Sequence, residues 1–182
     1  KELCEEARRL AESLGTPDVL AAVTTARAFA LLRPENLDER QGLAEKAVHF
    51  SQRAGDRELL MLNRLLLGAA ELEKGDLAAA AFEADAFRAL AEETRQPQAL
   101  WIVQAHRASR LLLDGRLEEV EALSGGCLLV GMRVRDHNAL LTFGVHLTLV
   151  RIEQGRASEV LDSIRDYAAR YPLILGWRVL HS

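Results

Sequence analysis

The sequence predicts an all-α protein: a right-handed superhelix of stacked helix pairs, about four pairs of 40 residues plus a half pair. Three observations predict it. The first is a phrase that returns. Residues 71–80 read ELEKGDLAAA, 111–120 read LLLDGRLEEV and 151–160 read RIEQGRASEV, so Gly75, Gly115 and Gly155 stand 40 residues apart. The second is the columns that appear when the chain is written in blocks of 40 from Thr16, as 16–55, 56–95, 96–135 and 136–175. The fifth column holds Leu20, Leu60, Leu100 and Leu140, and the fourth Val19, Leu59, Ala99 and Ala139. The seventeenth holds Leu32, Leu72, Leu112 and Ile152, the twenty-second Leu37, Leu77, Leu117 and Ala157. The thirteenth is small: Ala28, Gly68, Ala108 and Thr148. These columns follow one another in helical steps, so they trace one helix face, a break and a second helix, and the leucine column is expected in the core. The third observation is the placing of the glycines, where a first helix must end and a left-handed residue closes it without Cβ strain.

The elements follow in order. Residues 1–15, KELCEEARRLAESLG, align with 41–55, QGLAEKAVHFSQRAG, pairing Leu3 with Leu43, Ala7 with Ala47 and Gly15 with Gly55. They read as a half repeat: a second helix, 2–14, without its first. A first helix over 18–32 opens at Thr16-Pro17 and is stopped by Pro34, where the other blocks use Gly. Asn36 is placed to cap a helix over 36–53 and Asp56 one over 57–74. After Gly75 comes a helix over 77–94, and Gln96-Pro97 opens 98–114. A helix over 117–134 contains Gly125-Gly126, which predicts a bend or a close helix contact. Asp136 is placed to cap 137–154, and 157–171 completes the last pair. The stretch YPLILGWRVLHS reads as the opening of a further first helix, with 176–182 its truncated start. Neither end carries a polar capping helix, so the 182 residues are expected to be a single repeat domain cut from a larger protein.

Composition is that of an ordinary globular chain, 49% hydrophobic and 27% charged. The net charge of −4 argues against a nucleic-acid surface, which would show a basic stripe. No apolar run approaches a membrane span, and no signal peptide opens the chain. Cys4 and Cys127 lie far apart and read as reduced thiols of a cytoplasmic protein.

The helix pairs, the small residue seven before the glycine (Gly68, Ala108, Thr148) and the Gly-Asp or Gly-Arg turn resemble tetratricopeptide repeats, with a longer period than usual. The phrases LLRPENLDER, RAGDRELL, KGDLAAA, TRQPQALW, LLDGRLEEVEAL and RIEQGR more closely resemble the tetratricopeptide-like C-terminal region of large bacterial signalling ATPases, among them MalT-like and LuxR-type transcriptional activators. The resemblance implies a sensor or scaffold arm, with ATP and DNA bound by other domains. No G-x-x-x-x-G-K-[ST] occurs here, and no basic recognition helix.

Chemistry is sparse. His106 and His146 share the eleventh column, but its other members are Ala26 and Leu66, and a zinc site wants three or four ligands, so no metal is expected. His49, His137 and His181 stand alone. The carboxylates Glu92, Glu93, Glu118, Glu119 and Glu121 fall in first turns or on polar faces, where the helix dipole favours them. Ser109, Ser124 and Ser163 have no histidine at a useful spacing and no nucleophile elbow. No catalytic residue and no cofactor is assigned.

What remains is a strip on the first helices, which line the concave face of such superhelices. Asn63, Arg64, Gln104, His106, Arg107, His146 and Arg151 are neutral to basic on an acidic chain. They are the expected partner-binding residues, for an acidic or extended peptide or a neighbouring domain of the same polypeptide. The expected function is a non-enzymatic protein-interaction or signal-sensing module of a bacterial cytoplasmic regulator. Two alternatives stand beside it: a small-molecule inducer site in a closed pocket near Trp101, and a self-association scaffold that forms homo-oligomers.

Overall fold

A computed structural model describes residues 2–134, 137–172 and 176–177. Among the described residues there are nine α-helices and no strand: α1 Glu2–Leu14, α2 Pro17–Ala30, α3 Leu37–Ala54, α4 Arg57–Lys74, α5 Leu77–Thr94, α6 Pro97–Leu113, α7 Leu117–Arg133, α8 His137–Glu153 and α9 Leu161–Arg170. The period is written in the helix starts. First helices begin at 17, 57, 97 and 137, and second helices at 37, 77 and 117.

The caps explain the starts and stops. The Asp56 and Asp76 carboxylates each accept a 2.9 Å hydrogen bond, from the Leu59 and Ala79 amides. Pro17 and Pro97 open α2 and α6, where a missing N–H costs nothing. Gly15, Gly55, Gly75, Gly115 and Gly155 all have φ between 66 and 82°. Arg95 takes the same turn at φ 52° without being a glycine. Asn36 precedes α3, but its side chain makes no capping hydrogen bond. The Asp136 cap and most of the 176–182 segment lie outside the described residues. The last pair departs from the expected helix: a 3₁₀ turn over Ala157–Glu159 precedes α9.

The chain divides into two compact units, Lys1–Arg95 and Gln96–Ser182, at the border of the second and third blocks. In the first unit α2 packs on α3, α3 on α4 and α4 on α5, with α1 on α2. Its core gathers Ala28, Leu43, Ala44, Val48, Leu66 and Leu67. In the second unit α6 packs on α7, and α8 on both. One cluster there joins Ala108, Leu111, Val120 and Val150, and another Trp101, Ala105 and Ala139. At its end Trp177 stacks on Tyr167 at 4.7 Å and is buried with Val160 and Ile164.

The small column is buried as its spacing suggests: Ala28, Ala108 and Thr148 are closed from solvent and Gly68 is half-buried. The leucine column is not. Leu20, Leu60 and Leu100 are half-buried and Leu140 is exposed, while the next column supplies the buried Ala21, Met61 and Trp101. One residue is a 100° turn, and first helices rich in apolar residues leave several stripes open to the choice. Leu32, Leu72 and Ile152 are exposed too, because they fall at helix ends where the chain leaves its neighbour.

Burial alternates between blocks. Leu66, Ala70, His146 and Val150 are buried on α4 and α8. Their counterparts on α2 and α6 (Ala26, Ala30, His106 and Arg110) are exposed. Within each unit the later first helix is packed on the earlier one, α4 on α2 and α8 on α6.

The Gly125-Gly126 pair neither breaks nor tightens anything: α7 runs through it, and a Cβ at either position would meet nothing within 4 Å. The close approaches lie elsewhere. A Cβ on Gly131 would collide with the Ala139 methyl, and one on Gly144 would stand 3.0 Å from the Tyr167 ring.

Candidate functional site

The seven candidate residues separate by burial. Asn63 is fully buried at the centre of the first unit, where Thr25 Oγ1 lies 2.9 Å from its Oδ1 and its Nδ2 donates to Ser51 Oγ at 2.9 Å. Thr25 Oγ1 also lies 2.7 Å from the Ala21 carbonyl, so one hydroxyl proton serves two acceptors. His146 plays the like part in the second unit, from the column of Leu66 rather than that of Asn63. Its Nε2 is 2.9 Å from Ser109 Oγ and its Nδ1 2.9 Å from Ser124 Oγ. Each unit therefore has a buried polar clasp that ties a first helix, its second helix and the next first helix: α2, α3 and α4 in one, α6, α7 and α8 in the other. Neither centre faces an open groove: both are buried, and each of their side-chain polar atoms has a partner inside the packing.

The clasp corrects the reading of the serines. Ser109 and Ser124 do reach a histidine, across 37 and 22 residues of sequence, because α8 packs on α6 and α7. A neutral imidazole has one donor and one acceptor, so one serine donates to the ring and the other accepts from it. Burial holds the His146 pKa below the ordinary histidine value, with the nearby His106 adding to the effect.

Arg64 is mostly buried and pairs with the buried Glu83 at 2.7 Å, its guanidinium 5.9 Å from the Phe82 ring centre. Gly68 makes room for that pair, since a Cβ there would stand 3.3 Å from Glu83 Cβ. Arg151 lies across to α7 and the last turn, with 2.7 Å bonds to both Glu121 oxygens and a 3.3 Å contact to Glu159. Those bonds hold the Glu121 carboxyl below its usual range. Gln104, His106 and Arg107 remain on the surface of α6, Gln104 half-buried and the other two exposed. Gln104 and Arg107, three residues apart, share a face, and Arg107 has no ion-pair partner among the described residues.

Sequence reasoning passed over Arg40, which is buried on α3 and pairs with Glu73 at 2.6 Å, its Nε without a partner. The repeat did carry a signal, since Ala80, Val120 and Val160 share its column and the two valines are buried, but a charge inside a polar run reads as solvated.

The space around Trp101 is filled by Ala105, Ala139, Ile102, Leu128 and Val134. An open cleft of about 720 Å³ lies in the first unit instead, and Cys4, Arg27, Leu31, Arg33, Glu35 and Glu39 are among its lining. Cys127 is a buried free thiol, its pKa pushed up to about 11 by desolvation. Among the described residues no three His, Cys, Asp or Glu side chains stand together as metal donors, and no helix is long and apolar enough to cross a membrane. Comparison with known proteins gives no matching family model, no matching curated protein and no matching solved structure.

Proposed function

We propose that the chain is a tetratricopeptide-like right-handed helical array that works without catalysis, as a protein-interaction or signal-sensing arm of a bacterial cytoplasmic regulator. The observation that carries this reading is the 40-residue repeat of helix starts, with a left-handed residue after α1, α3, α4, α5, α6 and α8. Stacked helices of fixed register hold surface groups at fixed spacing, so a partner is met with little ordering cost. The regulator and its bacterial setting rest on the resemblance of the repeat phrases alone.

The part of the strip best placed to meet a partner is on α6: Gln104, His106 and Arg107. An exposed arginine makes forked, charge-assisted hydrogen bonds with carboxylates, which fits an acidic peptide or the acidic face of a neighbouring domain. Arg64 and Arg151 contribute by holding helices together rather than by facing the partner.

The test is capture from the source cell's lysate, comparing wild type with Arg107→Glu, proteins and small molecules both being identified by mass spectrometry. The reading expects a specific protein that Arg107→Glu loses while the helical circular dichroism stays unchanged. Capture indifferent to Arg107→Glu would remove α6 as the site. A stoichiometric small molecule without a protein would favour the inducer reading, with the charged cleft of the first unit as its place.

A further inference from the structure

The two units are clasped alike but by different chemistry. In the first, Asn63 joins Thr25 and Ser51, and none of the three ionises near neutral pH. In the second the centre is an imidazole, the side chain whose ordinary titration falls there. The first unit's only histidine, His49, is exposed on α3.

The surroundings of His146 suit a neutral ring. It is 4% exposed. From α7 comes the Ser124 hydroxyl and from α6 that of Ser109. Near it on α6 stands His106, one block back in the same column. The charges that reach α8 from α7 and the 3₁₀ turn are already joined, since Glu121 and Glu159 both bind Arg151. From α9, Tyr167 stands against Gly144. Among the described residues no carboxylate pairs with His146. A proton on its ring is therefore a buried charge with a second titratable imidazole as neighbour. His106 keeps one side in water, yet enough of its ring is packed to hold its pKa below the ordinary value as well. Water reaches the His146 charge only if α8 moves. It lies mainly on α7 and more lightly on α6, where His106 is already open to solvent.

We propose that the second unit is gated by protons: in mild acid α8 lifts from α6 as His146 and His106 take up protons from solvent, while the first unit stays closed. A neutral His146 that accepts from one serine becomes a cation that has to donate to both. The open form, with its rings in water, binds protons more readily than the closed one. Opening is thus favoured as pH falls below about 6.5, by up to about tenfold per pH unit for each histidine that the closed unit holds neutral. The device works whether or not α6 meets a partner.

Hydrogen exchange of the full chain at about pH 7.5 and about pH 5.5, each amide corrected for its intrinsic rate, tests it. Protection in α6–α8 should fall several-fold, up to about tenfold for each histidine, while that in α2–α4 changes less. His106→Gln replaces an exposed side chain, leaves the fold intact and should reduce that difference. His146→Gln should remove most of it. Equal losses in the two units overturn the proposal, as does a difference left undiminished in either variant. A nuclear magnetic resonance titration that puts the His146 ring at or above about 6.5 overturns it too.

Discussion

His146 sits where a proton is hard to add. Burial disfavours the charged ring, both ring nitrogens are engaged by serine hydroxyls, and the nearby His106 adds to the effect. Its folded pKa lies below the unfolded value of about 6.5, so the unfolded chain binds more protons as pH falls. Its contribution to stability is complete above that value and is lost progressively as pH drops towards and below the folded pKa. Thermal melts of wild type should therefore fall between neutral and mildly acidic pH, and His146→Gln should flatten that part of the fall. Removing the other clasp centre, Asn63→Ala, strands Ser51 and Thr25 and should cost about 1–3 kcal/mol at any pH. At this scale the sequence was least legible. Asn63 and His146 look like groove residues because a polar side chain on a first helix faces water more often than a clasp. Only the packing of three helices, unseen in any local pattern, turns them inward.

Helices were legible because their punctuation is chemical. Asp56 and Asp76 cap, Pro17 and Pro97 open, and five glycines close with positive φ, each a local preference that tertiary structure does not override. Which face each helix buries was less legible, since Leu20, Leu60, Leu100 and Leu140 share a column with more identity than burial. The glycines show the same split. Gly125 and Gly126 stand in open space, so alanine at either should stabilise by about 0.5–1 kcal/mol through helix propensity, seen as a higher melting temperature. Gly131→Ala should do the opposite, costing about 1–3 kcal/mol, because α7 and α8 cannot separate without exposing Trp101 and Ala139. Arg95→Gly should stabilise by up to about 1 kcal/mol, as the left-handed turn suits glycine and strains arginine.

On the scale of the molecule, the block borders of the sequence and the border of the two units coincide at Gln96. The repeat identity runs in steps of one block, yet the two blocks of one unit differ in which members of a column are buried. The difference has a consequence for how freely each position can vary. Selection sees burial, not column membership. A complete scan of single substitutions scored for folding should find Leu66, Ala70, His146 and Val150 intolerant, while Ala26, Ala30, His106 and Arg110 accept most replacements. Within each unit, residues of one column would then carry unequal records of constraint, however alike they are in the sequence.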